Sequence, residues 1–238
     1  MKDLLHLAVE AHGGLAQWNS FSRLEADASI GGALWHLKGR PDVLKNIHVS
    51  AELHEQWIST LLLDSDHRLT LAAGDIVLES GSDEGRRVRE QPREAFAGQL
   101  AETPWDDFHV GYFSNYALWT YFTIPFLFTY PGFVTQELEP WYENNEVWRP
   151  LQVIFPSNIA SHTHRQISYF GPDGLLRRHE YTVDVLGSAK GVNYALGYRE
   201  VNGIQIPTQR RVFACDDSKQ KIPVPLLVSI DLTNIRLT

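Results

Sequence analysis

The sequence predicts an α+β chain, mainly antiparallel β, built as one large sheet that curls around a helix. Three observations predict it. Short runs of alternating apolar residues, separated by tight-turn residues, fill both halves of the chain. The connections between those runs are too short for the crossover helices that parallel strands need. Between the halves, residues 108–136 run for 29 positions without Asp, Glu, Lys or Arg and hold 11 of the 27 aromatic side chains. A twisted sheet of ten or more strands curls or closes. A curled sheet needs something apolar in its hollow, and the aromatic stretch supplies it.

With 238 residues, the chain reads as a single domain, 1–238. Its parts are an N-terminal helix over 1–18, a first β-meander over 21–79, an aromatic helical segment over 104–133 and a second β-meander over 147–238. In the first part, Leu4, Ala8, Ala11, Leu15 and Trp18 keep the spacing of one helix face, interrupted at Gly13-Gly14. From Phe21 the period changes. Strands are expected over 24–30, 35–38, 43–51, 55–58, 61–63, 68–72 and 76–79, with turns at Gly31-Gly32, Pro41-Asp42, 64–66 and Gly74-Asp75. The polar segment 80–102 reads as a loop, with room for a short helix after Pro92.

The aromatic segment opens on a helix signal. Thr103-Pro104-Trp105-Asp106 offers a hydroxyl cap, a proline at the first helical position and a carboxylate three residues on. Phe108, Tyr112, Tyr116, Trp119 and Thr123 then recur at helical steps, and Pro125 should end the helix. The segment has the length of a membrane span, about 20 residues. Pro125, Pro131, Ser114, Asn115, the tyrosines and the acidic flanks argue against one. A buried core helix and a helix lining or covering a pocket both fit the pattern.

In the second meander, strands are expected over 147–155, 162–170, 175–185, 192–200, 204–214 and 224–237. One hairpin can be read in detail. Phe170-Gly171-Pro172-Asp173-Gly174-Leu175 suits a type I turn followed by a left-handed glycine, which pairs Phe170 with Leu176 and His164 with Thr182. On that register His162, His164, Gln166, Ser168, Arg178 and Glu180 share a polar face toward solvent. Arg165, Ile167, Tyr169, Arg177, His179, Tyr181 and Val183 share an apolar face toward the hollow. Polar groups on an apolar face need partners. Arg165, Arg177 and His179 could pair with buried acids or hold the polar head of an apolar ligand. Val201-Asn202-Gly203-Ile204 signals a second hairpin, and only one of Arg210 and Arg211 should face inward.

Hydrophobic content of 43% and charged content of 21% are ordinary for a globular protein. The net charge of −8 argues against non-specific binding to nucleic acid or anionic surfaces. The single cysteine, Cys215, leaves no internal disulfide and no cysteine zinc cluster, and it reads as a buried structural thiol. Met1-Lys2-Asp3-Leu4-Leu5-His6 lacks an apolar signal core, so the expected location is cytoplasmic. No phosphate loop, dinucleotide fingerprint, metalloprotease helix or nucleophile elbow occurs. His162 and His164 have a spacing that could offer two imidazoles to a metal, but the register turns them outward and away from His179. No metal and no cofactor are expected. His109, the one histidine in the aromatic stretch, suits either a general base or a hydrogen-bonded core residue.

Four pieces carry a resemblance. They are Ala11-His12-Gly13-Gly14 with Trp18, Tyr169-Phe170 ahead of Asp173-Gly174-Leu175, the run from Tyr198-Arg199-Glu200 through Asn202-Gly203 to Pro207-Thr208, and Ser229-Ile230-Asp231-Leu232. With the order of leading helix, meander, mid-chain helices and second meander, the chain resembles the lipoprotein carrier (LolA/LolB-like) fold superfamily. Residues 103–128 and 169–185 also look like those of an uncharacterised bacterial family of similar length. The resemblance implies a large unclosed barrel, a half-barrel, with helices packed in its concave face, and a hollow for a hydrophobic ligand. No catalytic residue carries over.

The expected function is binding or carriage of a lipid-like small molecule between the curved sheet and the aromatic helix. Tyr112, Tyr116, Trp119 and Phe122 would line the site, and Arg165, His179 and Tyr181 would meet a polar head. Two other readings stand beside it. One is an enzyme acting on an apolar substrate with His109 or His179 as acid or base. The other is a structural domain with a filled core.

Overall fold

The computed structural model describes residues 3–81 and 85–238. Met1 and Lys2 of the N-terminal reading, and 82–84 of the polar loop, lie outside the described residues. The chain begins with α1 (Leu4–Ala11) and the short α2 (Leu15–Trp18). Gly13 (φ +119°) joins them and packs so closely on the second hairpin that an added Cβ would stand 2.3 Å from the Gly203 carbonyl oxygen. Trp18 stacks on Phe126 with centroids 4.2 Å apart, so these helices cover one end of the hollow.

The first meander comprises β1 (Arg23–Gly31), α3 (Ala33–Leu37), β2 (Ile47–Glu52), β3 (Trp57–Leu62), β4 (His67–Ala72), β5 (Asp75–Ser80) and β6 (Arg86–Arg89). The aromatic helix is α4 (Asp107–Thr123), followed by a 3-10 turn at Phe126–Thr129. The second meander comprises β7 (Val134–Glu137), β8 (Trp141–Glu143), β9 (Glu146–Ile154), β10 (Arg165–Phe170), β11 (Leu176–Val183), β12 (Ala189–Val201), β13 (Ile204–Cys215), β14 (Lys221–Ile222) and β15 (Val228–Leu237).

Every described pairing is antiparallel, and the path runs β6-β5-β4-β3-β2-β1-β15-β13-β12-β11-β10-β9-β7. β14 adds to β13, and β8 folds back on β9. The path ends at β6 and β7 without joining them, so the large sheet is not closed. β15 is the seam between the meanders. It pairs with β1, as in Ile30 with Ile230, and with β13, as in Arg210 with Ile230.

Helix α4 is buried from Val110 to Thr123 on every side. A helix that is apolar all round belongs inside a core. Its polar residues are satisfied there: Thr60 Oγ1 donates to Asn115 Oδ1 at 2.6 Å, and Asn115 Nδ2 donates to the Leu69 carbonyl at 2.9 Å. Gly111 lets the helix close on β4 and β5, since an added Cβ would meet Leu69 at 3.1 Å and Ile76 at 3.2 Å. The helix ends at Ile124, whose extended backbone precedes Pro125.

Several sequence expectations are corrected. The cap of α4 is Asp106 rather than Thr103. Its carboxylate accepts from the His109 N–H at 2.9 Å while the His109 ring accepts from the Asp106 N–H. Residues 35–38 do not form a strand: α3 starts after Gly32, held by Ala33 and Leu34 N–H groups on the Leu226 and Leu227 carbonyls. The expected strands 55–58 and 61–63 are one strand, β3. The 80–102 loop also contributes β6 at the sheet edge, while the short helix expected after Pro92 is present as a 3-10 turn at Pro92–Phe96.

The hairpin at 170–175 pairs Phe170 with Leu176 as expected, but a bulge follows. Tyr169 faces Arg178 and Ser168 faces His179. The one-residue slip inverts the face of β10. His162, Gln166 and Ser168 are buried in the interior, whereas Arg165 is exposed. Arg177 turns outward to Asp173 and Glu146. Arg178, expected in solvent, is fully buried on the convex side between Trp141 and Tyr169, with Glu143 and Glu180 as partners. Of the paired arginines, Arg210 faces inward and Arg211 pairs with Asp231.

Candidate functional site

Strand alternation and α4 together build the interior of the second meander. A cavity of about 80 Å³ lies there, between α4, α3 and strands β11, β12, β13, β15 and β1. Phe113, Ala117, Leu118 and Tyr121 of α4 form one wall, and Val183, Val212 and Ile230 of the sheet form the other. Leu34 and Trp35 of α3 close it from the side. Leu186, Ala189, Lys190 and Leu227 stand at its partly exposed rim.

His162, Tyr121 and Tyr181 are the polar groups of its floor. The two nitrogens of His162 are 3.1 Å from the Tyr116 hydroxyl and 2.9 Å from the Tyr121 hydroxyl. The Tyr121 and Tyr181 hydroxyls are 2.8 Å apart. Tyr181 stacks on His162 with centroids 4.1 Å apart. Burial holds His162 neutral and lowers its pKa to about 3. A neutral imidazole has one N–H and one lone pair, so one tyrosine donates to it and the other accepts.

His179 lies next in the sheet. Its Nε2 donates to Gln166 Oε1 at 2.5 Å, and Ser168 Oγ donates to its Nδ1 at 2.8 Å. Gln166 is fixed in turn by donating to the Thr163 carbonyl. Burial puts the His179 pKa well below the ordinary histidine value. Arg210 lies beneath the end of α4. Its Nη2 donates to the Tyr121 carbonyl at 2.8 Å and its guanidinium sits 4.6 Å from the Tyr121 ring centre.

Of the seven side chains expected at a ligand site, Tyr181 walls the cavity. Tyr116 bonds to a cavity residue, His162. His179 is buried beside the floor, with its ring 5.4 Å from that of Tyr181. Tyr112, Trp119 and Phe122 are buried on other faces of α4; Trp119 donates to the Glu52 carbonyl at 2.8 Å. Arg165 stands exposed, away from this cavity. His109 is bound up in the helix cap, with Nε2 2.9 Å from Gln99 Nε2. Sequence reasoning missed Tyr121, His162 and Arg210 as residues of the site. The alternation at Arg210-Arg211 was the available signal for one of them. Among the described residues no cluster of three metal-ligating side chains occurs, and no helix is long and apolar enough to cross a membrane.

Neither protein-family models nor curated proteins give a match to this sequence. Solved structures do match in fold. A DUF1329 family protein from Desulfovibrio piger is 13% identical with a TM-score of 0.54, over 98% of this chain and 91% of that one. The LolA superfamily protein NE2245 from Nitrosomonas europaea is 9% identical with a TM-score of 0.56, over 98% and 92%. A putative outer membrane lipoprotein-sorting protein domain from Vibrio parahaemolyticus is 9% identical with a TM-score of 0.57, over 98% and 92%. The chain has a LolA/LolB-like fold.

Proposed function

We propose that this protein binds an apolar, lipid-like small molecule in the hollow between the curved sheet and α4. The observation that carries the reading is the cavity itself, walled by apolar side chains of α4 and the sheet and reaching a partly exposed rim at Leu186 and Leu227. Binding sites for small molecules are apolar concavities with a few placed polar groups, and His162, Tyr121 and Tyr181 are such groups. The likeness in fold to a lipoprotein-sorting domain supports a lipidic cargo. At about 80 Å³ the cavity is smaller than the roughly 150 Å³ that accommodates benzene in an engineered protein core. A larger ligand therefore enters by parting α3 and the Leu227 segment from α4.

The same small volume favours a second reading, a structural domain whose core is filled. Native mass spectrometry of freshly purified protein, followed by organic extraction, separates the two. A stoichiometric apolar compound supports binding. A bare mass, together with no uptake of an added apolar fluorophore, leaves the filled core as the better account.

A further inference from the structure

The floor of the hollow holds a charge without a counterion. Arg210 is 3% exposed, and no Asp or Glu among the described residues is buried. The other buried arginine, Arg178, has two carboxylates on the convex side. Arg210 has the Tyr121 carbonyl, in the last turn of α4, where the helix dipole supplies only about half a negative charge. Arginine keeps its proton even when buried. Its Nη1 has no hydrogen-bond partner among the described residues.

A second orphan stands nearby. Asn193 is 0% exposed, and neither its side-chain oxygen nor its nitrogen has a partner. It sits opposite Val212 on β12, and Arg210 sits opposite Ala195, so the two occupy the same face two positions apart along the strands. The Asn193 side chain lies beside the Tyr121 hydroxyl. Tyr121 connects the pair to the cavity: it walls the cavity and its ring carries the guanidinium. Buried donors left unmade are unfavourable, and here two stand on one face of β12 and β13, next to a side chain that walls the apolar space.

We infer that the ligand is an amphiphile with one apolar chain and a carboxylate head. The carboxylate is received by Arg210 Nη1 and Asn193 Nδ2 past the Tyr121 side chain, and the chain lies against the apolar walls. One guanidinium balances one negative charge, which favours a carboxylate over a doubly charged phosphate. This inference rests on the binding function proposed above.

Calorimetric titration of delipidated full-length protein with decanoate, decanol, methyl decanoate and decyl phosphate tests it. Decanoate should bind at least about tenfold more tightly than decanol or the ester, as a charge-assisted contact requires. Arg210→Met should abolish that advantage, bringing decanoate affinity down to that of decanol. The wild-type comparison stands alone if this variant fails to fold. Equal affinity for decanoate, decanol and the ester would overturn the carboxylate while keeping the apolar site. Tighter binding of decyl phosphate would overturn the choice of head. Binding of none of the four would overturn the apolar site as well.

Discussion

Gln56 and Ala160 exchange two hydrogen bonds: Gln56 Nε2 donates to the Ala160 carbonyl at 2.8 Å, and the Ala160 N–H donates to Gln56 Oε1 at 2.7 Å. The pair ties the loop before β3 to the segment before β10. It borders a groove of about 820 Å³ lined by residues 54–57, 72–74, Tyr130, Pro131, Phe133 and 157–159. Gln56→Leu removes both bonds and should lower stability by about 1–3 kcal/mol. Urea denaturation of the variant checks this; an unchanged midpoint would mean that the clasp is idle.

Acid should weaken the fold through its buried histidines. Unfolded, a histidine takes up its proton near pH 6.5. Folded, His12 resists until about 4 and His162 until about 3, in both cases because burial disfavours the charged ring. The unfolded chain thus binds more protons across this window, and the stability present above pH 6.5 is lost as pH falls through it. At pH 4 His162 alone accounts for a loss on the order of 3 kcal/mol. In His162→Gln the slope of stability between pH 4 and 6 should shrink by about one proton. The same slope in variant and wild type would show that His162 does not titrate on unfolding.

Gly13 and Gly74 both have positive φ, at +119° and +87°. Only Gly13 has backbone in the space a side chain would fill; around Gly74 nothing lies within 4 Å. Gly74→Ala should therefore cost about 1 kcal/mol, the conformational term alone. Gly13→Ala must also push the Asn202-Gly203 turn away and should cost about 3 kcal/mol or more. Thermal melts of the two variants should be clearly separated, and equal losses would contradict the close packing.

Ala117→Leu adds a branched side chain to the wall of the 80 Å³ cavity. It should reduce uptake of an apolar ligand about tenfold or more and change stability by less than about 1.5 kcal/mol. Fluorophore titration against the melting curve reads both. Undiminished uptake would place the ligand elsewhere.

The sequence makes the architecture legible where the signals are local. The charge-free stretch becomes a helix buried on all sides, Pro125 ends it, and the Gly171–Gly174 turn pairs Phe170 with Leu176. The site was less legible because it depends on one bulge. That single residue reverses β10, which turns Gln166 and Ser168 inward onto His179 and sends Arg165 outward. At the bulge Arg177 reaches Asp173 and Glu146, and Arg178 is seated under Trp141, 37 positions earlier in the sequence. The α3 segment was misread for a similar reason: Gly32 packs against Leu227, 195 positions away, with an added Cβ only 2.4 Å from its carbonyl oxygen.

The place of β15 bears on how the molecule comes into being. Leu24 finds its partner Leu237 only when synthesis has reached the far end of this sequence. Until then β1 and β13, both to become inner strands, each present a bare row of amide and carbonyl groups. During translation the nascent chain thus carries two unfinished sheets with sticky borders, and such species aggregate. β15 joins them, so assembly is governed by contacts between distant parts of the chain, which form slowly, and the emerging polypeptide stays vulnerable until that strand is made.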